Sequence, residues 1–332
     1  MNEMADEQSA APRRILAVSG PAENDGAGAL AFATELAGAF GASLGVLTVL
    51  GKPYDWRSVA RFTGLNPEDA QRSLREQAQA QIEARVAPYR AYGPIDVEVR
   101  DGKAFLEVIR TVMAGGFDLV IKDAEAIADG ERHLLTSTDQ HLLRKCPCPV
   151  WLLRGEALPA DRPVVAAVDV DLIESDDPEG QVALNQAIAR QAAVIAGLRG
   201  VPLHLLHVWD APAESLVRGW APAGDAPIRY VRGVEAERRQ ALQTLTDWLA
   251  ATEPVGPGGN DIYPRLMRGA PRDIVPAQIS ELRAGTLVMG TVGRTGIPGV
   301  IIGNTAEDVL NRVSCSLLTV KPPGYVSPLA AK

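Results

Sequence analysis

The residues of this 332-residue chain best suited to chemistry are three glycines and two polar neighbours: Gly290, Gly293 and Gly303, then Asn304 and Thr305. The apolar run Leu287-Val288-Met289 predicts a buried strand ending at Gly290. A glycine-rich loop through Gly293 and Gly296 then crosses the carboxyl edge of the sheet, and a helix opens after Gly303. Ligands of open α/β sheets sit at that edge. Glycines let backbone N–H groups approach a phosphate closely, and a helix start adds further N–H groups with a favourable dipole. The pattern is not a Walker loop, because no Gly-Lys-Ser/Thr follows. A purely structural reading fits the same residues. Asn304 and Glu307 have the spacing of a capping box, and Gly290 and Gly293 suit a tight turn.

Other reactive types are sparse. The four histidines and the serines form no Ser–His–Asp order, paired-histidine motif or nucleophile elbow. His133, Asp139 and His141 read as metal ligands or as scattered surface side chains. Cys146-Pro147-Cys148 reads as a metal or redox fragment, or as buried residues entering a strand. Val18-Ser19-Gly20-Pro21 with Asp25 is a faint echo of a pyrophosphatase loop. The expectation is a binding protein without catalytic residues, slow ATP hydrolysis in the second half being the only activity entertained.

Composition bounds the partners. Hydrophobic residues make up 46% and charged residues 22%, the balance of an ordinary globular protein. The net charge is −8 with no basic block, which argues against a nucleic-acid backbone. The apolar stretch Ala29 to Leu50 is broken by Glu35 and Gly41-Ala42-Ser43, so it predicts a helix and a strand rather than a membrane span. Three cysteines, an odd number, with no secretory leader predict a cytoplasmic location.

The elements that must position the glycines recur twice along the chain. The first pass predicts strands at Ile15 to Val18, Leu44 to Leu50, Ile95 to Val99, Asp118 to Lys122 and Pro149 to Leu153. Its long helix starts at Asn66-Pro67-Glu68-Asp69, a cap, a proline and two acids, and carries the stripe Ala70, Leu74, Ala78, Ile82, Val86. The second pass predicts strands at Val164 to Asp169, Leu203 to Val208, Thr286 to Met289 and Ser316 to Val320, with helices between. Strands alternating with helices imply parallel sheets covered on both faces. The fold class is therefore α/β, two tandem Rossmann-like domains, each a five-stranded parallel sheet with helices on both faces. The boundaries are a tail at 1–12, domains at 13–154 and 164–322, a linker at 155–163 and a tail at 323–332. Thr136-Ser137-Thr138-Asp139-Gln140 parallels Gly303-Asn304-Thr305-Ala306-Glu307, and Cys148 falls opposite Cys315.

Gly290, two residues, Gly293, nine residues, Gly303 and a small polar residue resemble the ATP-binding signature of the universal stress protein family. Asp169 after the first strand and His207-Val208 ending the second match further family positions. Thr136 to Trp151 is similar to the first domain of the tandem, UspE-like subgroup. The resemblance implies an adenine-nucleotide α-hydrolase-like fold, with Asp169 on the ribose or adenine side and Val208 and Met289 beside the base. Gly290, Gly293, Gly303, Asn304 and Thr305 would cradle the phosphates of ATP, with Mg or Mn. The signature asks for Ser or Thr where Asn304 stands, and its amide can still donate.

The first half lacks the glycines. Lys122 aligns with Gly290, Ser19 with Asp169 and Thr136 with Gly303, and the loop acids Asp123, Glu125, Asp129 and Glu131 would repel a triphosphate. Nucleotide binding is therefore expected in the second half alone. Two long segments, Gly51 to Leu65 with Tyr54, Trp56 and Phe62, and Trp209 to Tyr230 with Leu216 and Trp220, read as lids over an apolar pocket or as loops pinned by their aromatics. An apolar acyl ligand is the alternative that follows. The resemblance also implies that the last strands pair as in a dimer of the family, giving an internal pseudo-dimer with Trp151 at its seam, and a homodimer beyond that.

Overall fold

A computed structural model describes residues 11–20, 27–51, 56–64, 66–124, 135–154, 161–173, 175–221, 224–252, 261–291 and 304–330. The described chain divides into two compact units, the first built from residues 11–124, 135–154 and 326–330, the second from 161–325.

In the first unit five strands, β1 (Arg14–Ser19), β2 (Ser43–Leu50), β3 (Ile95–Asp101), β4 (Leu119–Asp123) and β5 (Val150–Leu153), form a parallel sheet in the order β3-β2-β1-β4-β5. Strands buried on both faces read as continuous apolar runs, and Ile15, Leu16, Leu47, Val120, Ile121 and Leu152 are all sealed from solvent. Helices α1 (Ala27–Phe40) and α3 (Pro67–Val86) pack against β1, β2 and β3. A shorter helix, α2 (Trp56–Thr63), precedes α3. Helices α4 (Ala104–Gly115) and α5 (Ser137–Lys145) contact each other, α4 over β2 and α5 beside β5. Trp151 of β5 meets Phe32 of α1 edge-on at 4.6 Å.

The signals at the start of α3 act as expected. The Asn66 side chain accepts from the Glu68 N–H at 3.0 Å, with Pro67 in the first turn. The stripe is shorter than its spacing predicts. Ala78, Ile82 and Val86 are buried, but Leu74 is 47% exposed.

The second unit repeats the plan. Strands β6 (Val164–Ala167), β7 (Leu203–Trp209), β8 (Ile262–Arg268), β9 (Thr286–Gly290) and β10 (Ser316–Val320) form a parallel sheet in the order β8-β7-β6-β9-β10. Helices α6 (Pro178–Arg199) and α8 (Ala226–Thr252) lie together against β6, β7 and β8, with the short α7 (Glu214–Trp220) leading into α8. Helices α9 (Pro271–Leu282) and α10 (Asn304–Leu310) contact each other, α9 against β7. Helices α4 and α9 are both 12 residues long and both end on a left-handed residue, Gly116 with φ 61° and Arg283 with φ 51°. The same backbone is thus kept where the second copy has lost the residue that adopts it most easily.

The described C-terminal residues return to the first unit. Ser327, almost fully buried, donates through Oγ to the carbonyl of Lys145 at the end of α5 (2.7 Å).

Candidate functional site

Sheet register fixes which residues share an edge. In the second unit Ala167, the last residue of β6, lies opposite Leu206 of β7 on one side and Met289 of β9 on the other. Their next residues bring Val208, Asp169 and Gly290 to one carboxyl edge, where the doubly wound topology places ligands. Gly293 and Gly303 lie outside the described residues, as do the side chains of Asn304 and Thr305, whose backbone opens α10.

Asp169 is held through its backbone. Asn185, buried on the inner face of α6, accepts from the Asp169 N–H at 3.0 Å and donates to the Asp169 carbonyl at 2.7 Å. Gln181, one turn earlier, donates to the same carbonyl at 3.2 Å. The Asp169 carboxylate then accepts from the Asp171 N–H at 3.2 Å, and its side chain is 36% exposed. Asp171 is in turn paired with the nearly buried Arg238 of α8 at 2.8 Å.

Beside this turn His207 is sealed in β7. Its Nδ1 lies 3.1 Å from the Val168 carbonyl, which can only accept, so Nδ1 carries the proton and Nε2 the lone pair. Burial holds its pKa below the ordinary histidine value, and the neutral ring anchors the residue before Asp169. Met289 is buried, and Val208 and Gly290 are half-buried. A Cβ on Gly290 would lie 3.1 Å from Leu184 Cδ2 and 3.5 Å from Ile188 Cδ1 of α6.

The first unit fills the equivalent edge with its own side chains. Leu119 pairs with Ile15 as Thr286 pairs with Val164, so Asp123 stands where Gly290 does, Lys122 where Met289 does and Gly20 where Asp169 does. The alignment read from sequence, Lys122 with Gly290 and Ser19 with Asp169, is one residue off, because Asp123 and Gly290 each lie seven residues after the left-handed caps Gly116 and Arg283 that close α4 and α9. Asp123 turns its carboxylate onto the first turn of α1, accepting from the Ala29 N–H at 3.2 Å, and a Cβ on Gly28 would sit 2.8 Å from it. Lys122 pairs with the fully buried Asp139 at 3.1 Å and donates to the Asp123 carbonyl at 3.0 Å. Arg85 of α3 donates to Ser19 Oγ at 2.8 Å and to the Gly20 carbonyl at 3.1 Å.

Asp139 and His141 do not gather a ligand. Asp139 is turned to Lys122, the His141 ring lies tilted against Phe105 with centroids 4.3 Å apart, and His133 lies outside the described residues. Cys146 and Cys148 are buried with their Sγ atoms 3.6 Å apart. Hydrogen bonding to Cys146 and burial push the Cys148 thiol well up, away from reactivity.

The chain matches the universal stress protein family over residues 12–154 and again over 162–321. It belongs to that family. Universal stress protein E of Escherichia coli K12 is 31% identical over 258 residues, which is 77% of this chain and 75% of that protein. The same-named protein of Photorhabdus laumondii is 27% identical over 277 residues, 81% of this chain and 83% of the relative. A protein of unknown function from Pseudomonas aeruginosa PAO1 has a similar structure, with a TM-score of 0.66 and 25% identity over 97% of this chain and 96% of that one. A universal stress protein from Archaeoglobus fulgidus shares the fold at a TM-score of 0.54 and 18% identity, covering 93% of this chain and 98% of that one. The chain is thus a universal stress protein E-like pair of stress-protein domains.

In the second stress-protein domain the expected lid turns outward at its apolar residues. Trp209 is buried with the Arg268 guanidinium 5.5 Å over its ring, but Leu216 is 51% and Trp220 78% exposed. Glu214 anchors α7 by pairing with Arg268 and with Arg218. In the first domain Phe62 is likewise exposed, and Tyr54 and the Trp56 side chain lie outside the described residues. No helix of the described residues is long and apolar enough to cross a membrane.

Two histidines of this domain give a pH dependence. His204 Nδ1 accepts from Arg265 Nε at 3.1 Å, and burial followed by the Arg265 charge lowers its pKa from 6.5 to about 4. His207 is shifted the same way. The unfolded chain therefore takes up these protons first. Stability is full above about 6.5, falls as pH drops toward 4 and then levels with respect to His204. Urea midpoints should fall between pH 7 and pH 5, and His204→Gln should flatten part of that slope; an unchanged slope would exclude His204 as its source.

Proposed function

We propose that this universal stress protein E-like chain acts in the cytoplasm as a non-catalytic stress-response protein that binds one adenine nucleotide, ATP with Mg or Mn, in its second domain. The contrast between the two carboxyl edges carries the reading. Where the first domain has a carboxylate at position 123, the second has Gly290, which clears the edge of that negative charge. A fixed Asp169, a half-buried Val208 and an apolar Met289 flank that clearing. These groups suit a ribose hydroxyl and a purine face, and Gly290, Gly293, Gly303, Asn304 and Thr305 are the residues assigned to the phosphates.

Binding rather than turnover is supported by the site's chemistry. His207, the base nearest Asp169, commits its proton to the Val168 carbonyl and sits sealed in the strand. Slow ATP hydrolysis is the only activity compatible with this reading. The cytoplasmic assignment is supported by three cysteines, none of which is in a disulfide. The exposure of Leu216 and Trp220 leaves the acyl-ligand alternative without support.

Titration calorimetry of the intact chain with ATP and Mg decides the matter. One ATP per chain is expected. Two would overturn the assignment to the second domain, and none would remove the nucleotide reading.

A further inference from the structure

One cation of the second domain belongs to no family motif identified in the sequence. Lys321 directly follows β10, in register with Thr291, the residue after Gly290. Its side chain is folded inward, with only 6% of the residue exposed. Its Nζ donates to Thr291 Oγ1 at 2.5 Å and lies 5.1 Å from the centroid of the Tyr325 ring. Thr291 is itself 1% exposed. An ammonium withdrawn from water is costly unless anions or hydrogen bonds surround it. This one is brought to the point where the glycine-rich loop leaves the sheet.

The edge has a direction. Across β7, β6, β9 and β10 it presents Val208, Asp169, Gly290-Thr291 and Lys321 in turn. Adjacent strands are about 4.8 Å apart, so Asp169 and Lys321 are separated by two spacings, about 10 Å. That suits a molecule with a hydroxylated sugar at one end and an anion at the other.

We propose that Lys321, seated by the Thr291 hydroxyl, is the phosphate-binding cation of the second domain and makes the site selective for phosphorylated nucleosides over nucleosides. The proposal rests on the nucleotide reading above. The ammonium provides a charge-assisted donor beside Gly290, where the chain carries no charge of its own.

The test compares ATP with adenosine on the full chain by titration calorimetry, for the wild type, Lys321→Met, Lys321→Arg and Thr291→Val. A hydrogen bond from a charged group sets the scale, about ten- to a hundredfold in affinity. Lys321→Met is expected to weaken ATP by that factor and leave adenosine unchanged. Lys321→Arg should keep most of the preference, and Thr291→Val should lose about threefold to tenfold for ATP alone. Raising salt should weaken ATP less in Lys321→Met than in the wild type. A folded Lys321→Met that binds ATP as the wild type does would overturn the proposal. So would equal losses for ATP and adenosine, which would mark Lys321 as a purely structural residue. Should Lys321→Met fail to fold, the ATP-to-adenosine ratio in Thr291→Val decides, and an unchanged ratio sinks the idea. Failure of the wild type to bind ATP would instead strike the nucleotide reading itself.

Discussion

Asp139→Ala is expected to cost the first domain about 3–5 kcal/mol, the scale for removing one partner of a buried ion pair. Asp139 is completely buried and Lys122 nearly so, with Nζ and Oδ1 3.1 Å apart. Without the carboxylate, the buried ammonium loses the anion that offsets its desolvation. Domain stability is about 5–15 kcal/mol, so such a change removes a large fraction of it. Replacing both members, Lys122→Met with Asp139→Leu, should recover most of the loss, because an apolar pair of similar volume needs no desolvation. Urea denaturation of the full chain, followed at the transition of the first domain, measures both. A loss below about 1 kcal/mol for Asp139→Ala would show that the pair is solvated.

Gly290→Asp is expected to abolish ATP binding to the intact chain, a loss of about a hundredfold or more. The variant puts at the second edge what Asp123 already puts at the first. Two unit charges about 4 Å apart near a protein surface repel by about 4 kcal/mol, more than a hundredfold in affinity. The added Cβ would also press on Leu184 at 3.1 Å, so Gly290→Ala serves as the steric control. The alanine variant should bind ATP measurably, the aspartate variant should not, and Asp123→Asn in the first domain should leave the affinity as it was. Equal binding by Gly290→Asp and the wild type would remove Gly290 from the site.

The sequence made visible what depends on neighbours along the chain. Apolar runs such as Leu317-Leu318 in β10 and Val164-Val165 in β6 announced buried strands, and Asn66 with Pro67 announced the start of α3. The duplication followed from their order. Strand β8 left no such trace. It contains Pro264 and is half-exposed along most of its length at the edge of its sheet, so no apolar run marks it. The candidate site was legible as residue types but not as geometry. The Asn185 clamp spans 16 residues and joins a helix to a loop, and the Lys122–Asp139 pair joins a strand end to a separate helix. Neither has a local signature. Asp139 attracted a metal reading only because two histidines flank it in sequence.

The Asn185 clamp also bears on how such a domain can change over generations. It grips the peptide groups of residue 169, which every amino acid except proline supplies in full, and leaves the carboxylate to the ligand edge. The turn is therefore insured against substitutions at the position assigned to the proposed nucleotide. Natural variation can try asparagine, serine or glutamate there without first rebuilding the scaffold, so the ligand taken up by such a domain can drift while its architecture stays constant.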